Sequence, residues 1–126
     1  MPDFVTDQRH IVTLANGDRV PALGQGTWYL GDSRATHDRE ALALRGRLFE
    51  SPTLAEVARR HGATVPQVVL AWDVRGGDTI AIPRSSRPEH TLENAAADAI
   101  ELTEEDLALI SRDFPAPSHK MPLDME

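Results

Sequence analysis

The residues best equipped for chemistry crowd into one stretch, AIPRSSRPEHTLEN at 81–94. Arg84 and Arg87 flank two hydroxyls, Ser85 and Ser86, and Pro88 then opens a helix. The first N–H groups of a helix have no partner within it and lie at the positive end of its dipole. Two guanidiniums and two hydroxyls beside such a terminus form a cradle for an anion, and a phosphate suits it. The same spacing also accommodates a plainer arrangement, in which Ser86 caps the helix and the arginines stand in solvent. Spacing alone leaves both open.

Other candidates carry less. Gly24-Gln25-Gly26 lacks the third glycine of a dinucleotide fingerprint and reads first as a turn. The histidines, at 10, 37, 61, 90 and 119, include no i, i+4 pair, so no metal site is expected. The one tyrosine, Tyr29, and the one lysine, Lys120 in the tail, do not form an acid–base pair by position. With no cysteine there is no disulfide, no thiolate ligand and no cysteine nucleophile.

Local grammar predicts the elements that position the 81–94 stretch. Asn16-Gly17 between short apolar runs predicts a β-hairpin over 11–23. An apolar run ending in glycines, at 22–28, predicts a buried strand and its loop. Composition turns helical from Ser33 to about Leu44. Ser51 as cap, Pro52 in the first turn and Gly62 as stop predict a helix with Leu54, Val57, Ala58 and His61 on one face. Thr64 and Gln67 have capping-box spacing for a second helix, apolar on more than one side and ending at Gly76-Gly77. Thr79–Ile82 predicts a short strand closed by Pro83, and Pro88 a helix to about Ala97. Thr103, with Glu104, Glu105 and Asp106 in the first turn, predicts a last helix showing Leu107 and Ile110 on one face. Beyond Phe114 the proline-rich tail predicts a surface loop.

Composition sets the outer limits. The 126 residues are 40% hydrophobic and 26% charged, the profile of a globular protein with one core. A closed (β/α)8 barrel takes about 250 residues, so a complete barrel does not fit. The net charge of −7 opposes nucleic acid and acidic membranes. No leader and no apolar run of spanning length is visible, and a cytoplasmic location is expected.

Taken together these residues resemble the aldo/keto reductase family, closest to its bacterial NADP(H)-linked branch. Residues 11–32, IVTLANGDRVPALGQGTWYLGD, look like that family's opening hairpin, first barrel strand and glycine-threonine loop. GRLFESPTLAEVARRHGATVPQVVLAW looks like its seventh helical layer, and TIAIPRSSRPEHTLENAAA like strand eight with its phosphate loop and eighth helix. ELTEEDLALISRDFPAP is similar to the accessory helix that follows. The resemblance implies an α/β chain built as a partial TIM-barrel fragment, a single incomplete domain over 1–126 with a junction near 45–46. It implies NADP as cofactor, with Arg84 and Ser85 at the 2′-phosphate, Ser86 beside them, and Glu93 and Asn94 at the adenine. His90 stands where many members carry an arginine against the 2′-phosphate, and Arg87 shares that duty. Gly26, Thr27 and Trp28 fall under the nicotinamide end.

The resemblance also marks a departure. The family follows its first helix with a DTAxxYG-type motif, then a lysine strand and a histidine strand, giving an aspartate, tyrosine, lysine and histidine tetrad. Here ALALR at 41–45 runs straight into GRLF at 46–49. The resemblance therefore implies an oxidoreductase by family whose catalytic segment is absent, an internal deletion of strands two to seven, and no catalytic residue in this chain. A small carbonyl substrate belongs to a full-length parent only, nicotinamide dinucleotide binding is expected to be weak, and self-association is expected to cover apolar surface. Two other readings stand beside it. One is an inert structural remnant. The other is a helix-turn-helix DNA-binding module over TLAEVARRHGATVPQVVLAW, disfavoured by the apolar second helix and the negative charge.

Overall fold

Ser51 accepts a hydrogen bond from the Leu54 N–H and starts α1 (Pro52–His61), which Gly62 stops in the left-handed conformation at φ 61°. Thr64 and Gln67 close a reciprocal capping box on α2 (Val65–Val74). Each helix thus starts and stops where its local sequence requires. In this computed structural model, which describes residues 10–26, 49–85 and 87–120, the remaining elements are β1 (Ile11–Thr13), β2 (Arg19–Pro21), α3 (Pro88–Ala96), a 3-10 turn (Ala97–Ala99) and α4 (Glu104–Asp113). The chain is α/β. The helix expected over 33–44 lies outside the described residues.

β1 and β2 pair antiparallel, with Val12 opposite Val20, through a turn in which Gly17 has φ 92°. The Asn16 side chain accepts from the Asp18 N–H and donates to the Asp18 carboxylate, which fixes the turn. Past the hairpin the chain runs alongside residues 81–84 in parallel, bridging at Leu23–Ala81 and Gly26–Arg84. Four backbone bonds hold this end of the molecule: Ala22 N–H to His10, Ala81 N–H to Ala22, Gly24 N–H to Ala81 and Gly26 N–H to Pro83.

This pairing corrects one expectation. Thr79–Ile82 is not a regular strand but a segment held by single bridges, because Pro83 has no N–H to continue a ladder. Its isoleucines face outward, and Ile82 is 65% exposed. Ala81 alone turns inward.

The core has two parts, and α2 lies between them. On one side Val68 packs with Leu54, Val57 and Ala58 of α1 and Ile110 of α4. On the other, Val74 packs with Val12 and Ala22, and with Val20, Leu23 and Ala81 at the margin. This explains why α2 is apolar on more than one side. Fully burying a valine contributes about 1.5–3 kcal/mol relative to leaving it exposed, so Val57, Val68 and Val74 anchor the arrangement.

Two histidine–aspartate pairs fasten the outer elements. The Asp98 carboxylate accepts from the His10 N–H at 3.0 Å and lies 3.0 Å from His10 Nδ1, joining the hairpin to the 3-10 turn. Asp106, only 1% exposed, meets His61 Nε2 at 2.6 Å and closes the α4 capping box with Thr103. Burial works to raise the Asp106 carboxyl, but the bonds from His61 and Thr103 outweigh it and hold the group below its ordinary range. Among the described residues no helix is long and apolar enough to cross a membrane.

Candidate functional site

The site lies where the two parallel segments end and α3 begins. Pro88 occupies the first helical position, which makes Arg87 the N-cap, and no side chain caps the helix. Ser86 lies outside the described residues, as do Thr27 and Trp28. The N-cap at Arg87 nonetheless corrects the plain reading in which Ser86 occupied that position. The N–H groups of Glu89 and His90, in the first turn, precede any possible intrahelical partner and point toward the loop.

Arg84 reaches this point through the bridge to Gly26 and is half-buried, whereas Arg87 and His90 are exposed. The approach at Gly26 is close: a Cβ there would stand 2.4 Å from the Ile82 carbonyl oxygen. Only glycine lets the two backbones meet here. Ser85 turns inward. Its hydroxyl accepts from the Arg87 N–H at 3.2 Å and donates to the Arg87 carbonyl at 3.0 Å, closing a small turn. That carbonyl also accepts from the Thr91 N–H and hydroxyl.

Gln25 is a part of the site that the sequence did not flag. Its side-chain amide donates to the Ser85 carbonyl at 3.1 Å and to its own neighbour's, Gly26, at 3.1 Å, so it ties the glycine turn to the basic loop. Between two glycines it reads only as a turn residue, and nothing local announces a partner in the distant loop. Behind it a cavity of about 190 Å³ is lined by Leu23, Gly24, Gln25, Pro83, Thr91, Asn94 and Ala95. Asn94 thus faces a largely apolar recess.

Glu93, the residue before Asn94, is turned toward α2. The Thr64 hydroxyl donates to its carboxylate at 2.7 Å, and the Gln67 side-chain amide donates to its backbone carbonyl at 2.8 Å. Thr64 and Gln67 were legible as a capping box, but this second use of both side chains was not.

Two guanidiniums, an imidazole and an uncapped helix start give the loop a donor set with a preference for anions, opposed locally by the exposed Glu89. Among the described residues no group of three or more histidines and carboxylates could hold a metal. The turn between α1 and α2 does not offer α2 as a reading surface for DNA. Val68, Ala71 and Val74 are buried, and Arg59 and Arg60 of α1 are engaged by Glu56.

Comparison with known proteins places the chain in a family. Residues 30–112 match the family model described as "Aldo/keto reductase family". Methylglyoxal reductase YeaE of Escherichia coli is 35% identical over 86 residues, covering 68% of this chain and 30% of that protein. An aldo-keto reductase of Mycobacterium avium is 38% identical over 100 residues, covering 71% of this chain and 35% of its own length. The chain therefore spans about a third of the relatives it matches. Among solved structures, an aldo-keto reductase from Klebsiella pneumoniae in complex with NADPH superposes with a TM-score of 0.62 at 33% identity, over 83% of this chain and 40% of that one. A second from the same organism, in complex with NADP and acetate, gives 0.62 at 31% over 82% and 42%. From the local pattern, the parallel pairing beside an uncapped helix and these matches, the chain belongs to the aldo/keto reductase family.

Proposed function

We propose that this chain is the adenosine-phosphate corner of an NADP(H)-linked aldo/keto reductase, carried on a single incomplete barrel domain. Residues 1–45 correspond to the opening of the barrel and 46–126 to its close, with a junction near 45–46. The observation that carries this reading is the parallel bridge of Gly26 to Arg84 beside the uncapped start of α3. It brings the glycine turn, Arg84 and the helix terminus to one place without any other segment.

The donor set fits the cofactor at this end. Arg84, Arg87 and His90 around a helix N-terminus suit a phosphate monoester, and the recess at Asn94, at about 190 Å³, is of a size for a flat ring rather than a whole dinucleotide. Arg84 would carry most of the 2′-phosphate contact. Ser85 would assist only by redirecting the hydroxyl hydrogen it now gives to Arg87. Ser86, Gly26, Thr27 and Trp28 complete the proposed cofactor set, the last three at the nicotinamide end. When bound, the cofactor supplies a hydride.

The chain by itself supplies no positioned acid to accompany that hydride. It has one tyrosine, one lysine in the tail, and no DTAxxYG-type motif, so carbonyl reduction is assigned to a full-length parent and none to this chain alone. Methylglyoxal should not accelerate NADPH oxidation above buffer, and turnover at ordinary rates of ~1–10³ per second would sink this assignment. The exposed Ile80, Ile82 and Leu92 support self-association as the way the strand pair is covered.

The test of the corner is a titration with 2′,5′-ADP against 5′-AMP, followed by NMR shifts. Affinity is expected on the order of 0.1–1 mM and biased toward 2′,5′-ADP, since a charge-assisted contact adds about 1.5–3 kcal/mol. Arg84→Ala should remove the bias. Equal affinity for the two ligands, or a bias unchanged in Arg84→Ala, would leave an inert remnant as the better description.

A further inference from the structure

The segment 79–84 pairs on one side only. Ala81 gives its N–H to Ala22 and accepts at its carbonyl from Gly24, and the Pro83 carbonyl accepts from Gly26, so residues 81 and 83 address the 22–26 segment. Alternation along extended backbone turns Ile80 and Ile82 to the opposite edge. Among the described residues neither isoleucine makes a backbone hydrogen bond, and their side chains are 44% and 65% exposed. An unpaired edge of this kind is a template for another strand. Pro83 does not spoil it, because the N–H it lacks belongs to the paired side.

The sequence along this edge is its own complement. In DTIAIPR, at 78–84, Ala81 is central, an isoleucine stands on either side, and Asp78 and Arg84 mark the ends. Two copies lying antiparallel about a twofold axis at Ala81 set Ile80 opposite Ile82 and Asp78 opposite Arg84, each twice over. Parallel strands in register would set like charges opposite instead. A slip of two residues either way would set an isoleucine against Asp78 or Arg84. The Ile82 carbonyl is taken up by the close approach to Gly26, so the ladder left to this edge runs from the Ile82 N–H of each copy to the Ile80 carbonyl of the other. All the isoleucines then share one face.

We propose that the outer edge of 79–84 is a self-association surface on which two copies of this chain pair antiparallel about Ala81, joining their strand pairs into one continuous sheet. This rests on the self-association reading above and adds its geometry. The chain has no cysteine, so introduced ones report which residues meet. Ile80→Cys is mixed with isotope-labelled Ile82→Cys, the mixture is mildly oxidised, and mass spectrometry distinguishes mixed from same-variant disulfides. Residues directly opposite lie about 5.5 Å apart between Cα atoms, within disulfide reach, whereas diagonal neighbours lie about 7–8 Å apart. Mixed bridges are therefore expected to outnumber same-variant ones by roughly tenfold. Asp78→Arg sets like charges opposite at both ends and should weaken association of the full chain roughly tenfold in sedimentation, with the circular dichroism spectrum unchanged.

The outcomes separate the two ideas. A wild type that sediments as a monomer removes self-association and this pairing together. A wild type that associates while same-variant bridges equal or exceed mixed ones, or while Asp78→Arg associates as tightly, keeps self-association and refutes the pairing about Ala81.

Discussion

The two sides of α2 end in different kinds of structure. Toward α1 and α4 it meets an apolar cluster, Leu54, Val57, Ala58 and Ile110, closed by the buried Asp106 and its partner His61. Toward the paired segments it meets a thinner cluster around Val12 and Ala22, held by single bridges, with Ile82 65% and Leu92 73% exposed nearby. No residue of α3 is fully buried. The helical side is built to stay folded, whereas the corner keeps its polar groups accessible and has less to hold it shut.

Truncating a side chain on each side tests that contrast most strongly. Leu54→Ala should cost about 2–5 kcal/mol in a urea melt, because the cavity falls between packed helices. Ile82→Ala should cost less than about 0.5 kcal/mol, since most of that side chain already meets solvent. Similar losses at both positions would erase the distinction.

Asp106→Ala should come next, at about 1–3 kcal/mol, for it removes one half of the capping box and leaves the His61 ring and the Thr103 N–H without their acceptor. The sign with pH follows from the carboxyl being held below its ordinary value of 3.8. Its contribution is full above that value and is lost as pH falls through the lowered one. The acid limb of the wild-type stability curve should therefore be steeper than that of Asp106→Ala, and parallel limbs would count against the pair.

Ile82→Lys should leave the urea midpoint nearly unchanged yet reduce self-association in sedimentation. If the wild type already sediments as a dye-silent monomer, the corner is closed in some other way. The smallest effect is expected at Glu56. The Arg59 side-chain bond, followed by Arg60, lowers its carboxyl to about 2, but the side chain is part-exposed at the surface and screened by solvent. Glu56→Gln should not shift the midpoint resolvably, and a clear shift would mean the α1 surface contributes more than its exposure allows.

Sequence grammar located the helices because their signals are local. Ser51, Gly62, the Thr64–Gln67 box and Thr103 act within four residues of themselves, and each acts as its type and position suggest. Asp106 was legible only as one of three acids suited to a helix dipole. That it is buried depends on His61, 45 residues away, which periodicity cannot reveal. Thr79–Ile82 looked like a strand because its side chains suit one, but a ladder also needs neighbours and uninterrupted N–H groups, and Pro83 breaks the run. At the corner, residue types offered an anion cradle at Arg84 and Arg87 beside a plainer reading, and the nucleotide titration is what decides between them. The parts contributed by Gln25, Thr64 and Gln67 depend on which segments come to lie side by side.

The parallel bridges also imply an order of folding. α1 and α2 meet across the Gly62 turn, a short closure that costs little chain entropy, so their contacts can form early. The Gln25–Ser85 bond spans 60 residues and the His10–Asp98 bond 88, and both must wait for a far larger loop to close. The corner should thus assemble last, on a helical scaffold already in place. Pulse-labelled amide exchange should protect α1 and α2 before the Gly24 and Gly26 amides; simultaneous protection of all four would mean that the glycine segment takes part in the folding nucleus.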